Sequence, residues 1–245
     1  MAIKVELVGD IFTAKDDDWG CAVTLSRFTI NPQCVVYDAL HTCHDEFNMT
    51  KMSEERAGEI VVHRLLNGNK GHYSCLEFPH IVFGVKGYSI SAVAQARTHR
   101  HLSFAVRSYR IPIDKVENAR TEDYFLYRKS GAHRTRDGVY YSTEEDYAAT
   151  SLYLKEILTL YWNRIEGGLP AEHAREVLPS CTRQDMQIGG NLRAFLHFLD
   201  LRSKANAQSE IGHMSQCIYE LLSRWCPQIM KWYTDHRFKK GILAP

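Results

Sequence analysis

The segment Arg97 to Arg110, RTHRHLSFAVRSYR, puts four arginines, two histidines and two serines into one short stretch. Guanidinium groups stay protonated and present a planar fork of donors, so they suit an anion, phosphate above all, better than proton transfer. Leu102, Phe104, Ala105 and Val106 interleave with the charges, and that mixture predicts partial burial. From Arg97 to Arg136, ten Lys and Arg stand against four Asp and Glu, about +6, in a chain whose formal net charge is only +1. Buried arginines need anionic partners. With so few acids nearby, a bound phosphate is the economical partner, and a solvated basic face is the plainer alternative.

Ser108 lies between Arg107 and Arg110. As a nucleophile it would need a base, which arginine cannot be; as a hydroxyl among guanidinium groups it is suited to donating to phosphate. The run HTCHDE, with His41, Cys43, His44, Asp45 and Glu46, suggests a metal at first sight but matches no closed zinc spacing, so no metal is expected. Neither G-x-G-x-x-G nor a P-loop is present, and any dinucleotide must be held by other means.

Positioning these groups falls to a mixture of strands and helices. IKVELVGD alternates like a strand and HIVFGV reads as a buried one. Ser53 is placed to cap a helix that runs to Asn67 before Gly68. SISAVAQARTHRHLS, from Ser89, predicts a helix with Gln95, His99 and Ser103 along one face. Residues 111–142 show little periodicity, the pattern of a structureless functional lid. Thr143 caps a long helix, Pro170 opens a short one, and Leu192, Phe195, Leu196 and Leu199 form a core stripe opposite Arg193 and His197. A last helix is expected from about Ser209 to Trp225.

Hydrophobic residues make up 44% of the 245, enough for a substantial core, and the near-neutral charge excludes a polybasic nucleic-acid coat. No apolar leader and no membrane-length apolar run is seen, so a soluble, cytoplasmic protein is expected. Seven cysteines without a C-x-x-C pair predict free thiols. With no repeat or clear linker, one domain over residues 1–245 is expected.

Several ordered blocks, spanning roughly residues 72 to 212, resemble the flavin-dependent thymidylate synthases. THRHLSFAVRS is similar to the family's Arg-His-Arg followed, after seven residues, by Ser: His99, Arg100 and Ser108 are in place, with Thr98 where the first arginine belongs. GHYSCLEF is similar to the His-x-Ser-x-Leu-Glu-His block, with Phe78 replacing its last histidine, and GLPAEHAREVLP and NLRAFLHFLDLRSKANAQSEI are close to family pattern. Val106 and Tyr109 are further departures.

The resemblance implies an α/β fold, a central mixed sheet flanked by helices, in a homotetramer with shared sites. It implies FAD at Ser74, His99, Arg100, Asn191, Arg193, His197 and Asn206, and dUMP at Gln95, Ser108, Arg110 and Arg175. It assigns Arg202 to the pyrimidine ring, as the catalytic group that stabilises negative charge there. NADPH and methylenetetrahydrofolate follow as cosubstrates of dTMP formation. Two alternatives stand beside this: the same flavin fold acting on another pyrimidine nucleotide such as dCMP or stopping at a hydroxymethyl product, and a nucleic-acid-binding protein that uses the basic 97–136 segment.

Overall fold

A computed structural model describes residues 3–8, 11–16, 19–42, 52–68, 73–116, 118–135 and 137–240. Strands β1 (Lys4–Val8), β2 (Ile11–Asp16) and β3 (Cys21–Phe28) are followed by helices α1 (Pro32–Thr42) and α2 (Glu54–Val61). Ser53 caps α2 as expected, its Oγ accepting from the Arg56 amide at 3.2 Å, and a π-helical turn, Val62–Leu66, carries the chain on toward Gly68. β4 (His80–Ser89) leads directly into α3 (Ile90–Ala96) and then β5 (Ser103–Val106). The later elements are α4 (Thr121–Tyr124), β6 (Gly131–Thr135), β7 (Gly138–Ser142), α5 (Glu144–Glu166), α6 (Ala171–Ala174), β8 (Arg183–Asn191), α7 (Leu192–Arg202), α8 (Ser209–Trp225) and α9 (Pro227–His236).

The main sheet has the order β1-β2-β3-β4-β8-β5. The expected α/β class, a sheet flanked by helices, is what the chain adopts, but every pairing in that sheet is antiparallel where mixed directions were expected. No neighbour therefore needs the crossover that parallel strands demand. Ile81, Phe83 and Val85 alternate along β4 and are buried, following the two-residue period of a strand with one face on the core. They meet the stripe expected on α7, where Leu192, Phe195, Leu196 and Leu199 are wholly buried and Phe195 packs edge-on to Phe83 at 5.1 Å. Each such side chain contributes about 1.5–3 kcal/mol by leaving water.

Three expectations are corrected. The helix entered at Ser89 stops at Ala96, and Ser103 is a strand residue, so Gln95, His99 and Ser103 do not share a helical face. The chain leaves the helix because β5 takes the open edge of β8, pairing Ser103 with Gly189 through Val106 with Met186. Leu102 lies over Gly190, where a Cβ would come 2.5 Å from its Cδ2. Second, residues 111–142 are not structureless. They hold α4 and the β6–β7 hairpin, and Tyr124 and Phe125 pack with Leu154 and Leu158 of α5 in a small second core. Third, α9 continues past Trp225; Pro227 sits in its first turn, where a missing N–H costs nothing, and Ile229, Met230 and Tyr233 bury its inner face.

Candidate active site

Arg202, the last residue of α7, reaches the turn that follows α3. Its Nε donates to His99 Nε2 at 2.9 Å, and its Nη2 donates to Thr98 Oγ1 at 2.9 Å and to the Gln95 carbonyl at 3.2 Å. Thr98 Oγ1 in turn donates to the same carbonyl at 2.8 Å. His99 is buried, with Phe198 4.8 Å and His197 5.8 Å from its ring centre. Because Nε2 accepts, the ring proton belongs on Nδ1. Burial above all, then the charges of Arg202 and His197, pull His99 down to about 4, so the imidazole is neutral near pH 7. Burial also draws Arg202 below its ordinary value, yet a guanidinium remains charged.

These groups line a cavity of about 240 Å³ with Arg100, His101 and Leu201. Four of the residues expected at the site, His99, Arg100, His197 and Arg202, thus share one cavity, and Gln95 borders it through its carbonyl bond to Arg202. The Gln95 side chain turns toward α8, donating to Gln208 Oε1. His197, half-buried, is lowered by burial and by His101.

The remaining candidates lie elsewhere. Asn191 caps α7, its Oδ1 accepting from the Ala194 amide at 2.9 Å, and Arg193 meets Glu77 at 2.5 Å beside the exposed Ser74. This group occupies the start of α7, about 16 Å from Arg202 at 1.5 Å per residue. Asn206 is exposed between α7 and α8. Ser108 and Arg110 follow the far end of β5, and Ser108 Oγ accepts from the Arg110 amide at 3.3 Å. Arg175 is exposed and donates to the Glu172 carbonyl at 3.1 Å; with Arg97, Tyr109 and Gln184 it lines a cavity of about 480 Å³. The described chain therefore gathers His99, Arg100, His197 and Arg202 and leaves Ser108, Arg110 and Arg175 apart from them.

The partial burial expected of the basic segment is not found for its first arginines. Arg97, Arg100, Arg107 and Arg110 are exposed, while Leu102, Tyr109 and His99 carry the burial. Among the described residues no group of three or more His, Cys, Asp and Glu is placed to hold a metal; Cys43, His44, Asp45 and Glu46 lie outside them. The described cysteines are free thiols.

Two residues escaped the sequence reading. Thr98 stood only as a departure, yet its hydroxyl bonds Arg202. Arg183, at the start of β8, was not singled out. Its Nε donates to the Glu122 carbonyl at 2.7 Å and its Nη2 to that of Trp19 at 2.7 Å, while Nη1 reaches Gly20 at 3.2 Å and also the Gly87 carbonyl. Tyr109 donates its hydroxyl to the Arg183 carbonyl, tying the Ser108 loop to β8. No acid was needed to hold this half-buried cation, and no local pattern marks a residue whose partners are backbone carbonyls from three distant segments. Arg183 walls a larger cavity, about 930 Å³, between the β3–β4 end of the sheet and residues 107–147.

An antiparallel sheet whose edge strand and following helices set a partly engaged guanidinium beside a neutral histidine in an open cavity defines an α/β protein with a preorganised cationic site. The family model described as thymidylate synthase complementing protein matches residues 24–228, and the chain belongs to that family of enzymes. It is 31% identical over 204 residues to a flavin-dependent thymidylate synthase of Haloarcula marismortui, covering 78% of this chain and 81% of that protein. It is 28% identical over 205 residues to the enzyme of the same name from Halobacterium salinarum, covering 79% and 82%. The fold is similar to that of the UMP/dUMP methylase PolB from Streptomyces cacaoi bound with 5-Br dUMP, with a TM-score of 0.71 at 20% identity over 92% of this chain and 97% of that one. Among the described residues, no helix is long and apolar enough to cross a membrane.

Proposed function

We propose that the protein transfers a one-carbon unit from methylenetetrahydrofolate to C5 of dUMP, using FAD and hydride from NADPH, and so forms dTMP. The observation that carries this reading is Arg202, held by His99, Thr98 and Gln95 at a cavity in a member of this family. C5 of uracil is a weak carbon nucleophile, and a fixed guanidinium favours the ring form that carries negative charge. Neutral His99 adds no second cation beside it and offers Nε2 as an acceptor.

The donors fit FAD, whose pyrophosphate is anionic: Arg100 is exposed at the cavity and Arg193 is a second cation in the set. Bound FAD supplies the two electrons that reduce the methylene unit to methyl, and NADPH restores them. Ser74, His99, Arg100, Asn191, Arg193, His197 and Asn206 would hold it, Asn191 through its amide nitrogen because its oxygen caps α7. Gln95, Ser108, Arg110 and Arg175 would bind dUMP. A cavity of about 240 Å³ is smaller than the roughly 300–1,000 Å³ of ordinary ligand sites, and Ser108 and Arg110 lie at the other end of β5. Both facts support a site that another copy of the chain completes; a homotetramer of this single-domain chain with shared sites, in the cytoplasm, belongs to the same reading.

Purified protein is expected to show flavin absorbance. With methylenetetrahydrofolate and NADPH it should convert dUMP to a product one methyl heavier by mass spectrometry. A colourless protein, inert with all cosubstrates, would overturn the reading. Supplying dUMP and dCMP together and weighing the products decides which pyrimidine is used and whether the product carries methyl or hydroxymethyl.

A further inference from the structure

Arg202 has five N–H donors. Nε–H goes to His99, and Nη2 faces Thr98 Oγ1 and the Gln95 carbonyl, two acceptors that lie only 2.8 Å from each other and so converge on one side of it. Among the described residues no acceptor meets Nη1. The occupied edge, Nε with Nη2, is the one that grips a carboxylate or phosphate side-on through two parallel bonds. What remains is the outer end of the group, Nη1 above all, at the cavity that Arg202 lines.

We propose that Thr98, with His99, is a positioning residue that turns Arg202 end-on, so that the guanidinium meets its ligand through its outer end, Nη1 first, rather than through the side edge of Nε and Nη2. The threonine is well suited to the task. Its hydroxyl hydrogen goes to the Gln95 carbonyl at 2.8 Å, which leaves a lone pair facing Nη2 at 2.9 Å. A hydroxyl so oriented can only accept from Arg202, and His99, with its proton on Nδ1, can only accept as well. Two fixed acceptors on adjacent residues hold a planar group against rotation about both its Nε–Cζ and Cζ–Nη2 bonds. The inference rests on the reading of Arg202 as the arginine that meets the pyrimidine ring.

The test uses the full-length flavoprotein and Thr98→Val, which keeps the shape and loses the acceptor, beside Thr98→Ser, which restores it. Thr98→Val is expected to lower kcat with dUMP about 10-fold while KM for dUMP stays within about 2-fold, the cost of one hydrogen bond to a charged group. Rotation about the Arg202 Cζ–Nη2 bond, followed by NMR of the nitrogen-labelled protein, is expected to speed up in Thr98→Val and to stay slow in Thr98→Ser. Unchanged rotation and unchanged kcat in Thr98→Val would overturn the proposal, as would a Ser variant as impaired as Val. The rotation measurement needs no turnover. A wild-type enzyme inactive on dUMP, with rotation that still responds to Thr98→Val, would refute the proposed reaction and leave the role of Thr98 standing.

Discussion

Arg183 and Arg202 sit at opposite kinds of place although both are partly buried guanidinium groups held by the protein. Arg183 reaches the carbonyls of Trp19, Gly20, Gly87 and Glu122, drawn from the β2–β3 and β4 turns and from α4. Arg202 takes its acceptors from one turn of chain, Gln95, Thr98 and His99, and lines a cavity with Nη1 bonded to none of the described residues. The first arrangement closes a structure, because one side chain joins three separate segments of chain through their carbonyls. The second fixes a cation in place while leaving part of its hydrogen-bonding capacity unmet, which is what electrostatic preorganisation at a site requires. The number of partners therefore says less than which donors remain.

The sharpest way to break this contrast is Arg202→Ala. Turnover of dUMP is expected to fall about 100- to 1000-fold or more, the scale of losing one preorganised charge donor, while flavin absorbance of the purified protein persists. Retained activity would remove Arg202 from its role, and loss of flavin would recast it as a cofactor ligand. Arg183→Ala is expected to act on stability instead, lowering the free energy of unfolding in urea by about 2–3 kcal/mol, because several backbone acceptors lose their donor together. A variant equally stable but inactive would mean that the carbonyl clamp belongs to the chemistry.

The smallest expected effect is titration of His99. Folded, it protonates only near 4, whereas its ordinary value is 6.5, so between these the unfolded chain binds more protons. Its favourable contribution is complete above pH 6.5 and is lost as pH falls toward 4. Arg202 and His197, both from α7, are the charged or titratable groups that push it in this direction. Unfolding measured from pH 7 to pH 4 should lose about 1–2 kcal/mol less in His99→Gln than in the wild type. Identical slopes for the two proteins would show that His99 is not held neutral by the fold.

Much of the fold was legible in local patterns. The caps at Ser53 and Thr143, the α7 stripe and the buried strand at β4 all follow from periodicity and short-range hydrogen bonding, which neighbouring residues decide among themselves. The overlong helix at Ser89 failed for the complementary reason: residues 97–103 read as helical, but the open edge of β8 offers β5 a ladder of hydrogen bonds that no local pattern announces. The segment 111–142 looked structureless because Tyr124 and Phe125 pack on α5 without any period of their own. At the site, the residue types were visible and the grouping was not. His99, Arg100, His197 and Arg202 share a cavity; Ser108, Arg110 and Arg175 do not reach it.

By itself the sequence determined which residues carry charge, which faces are apolar, where helices begin, and which family the ordered blocks resemble, because these depend on residue identity and spacing. Only the tertiary structure decided that Thr98 bonds Arg202, that His99 is a buried neutral acceptor, and that Arg183 is enclosed by carbonyls. Those properties arise where segments about a hundred residues apart meet, and burial and hydrogen-bond geometry exist only after they have met.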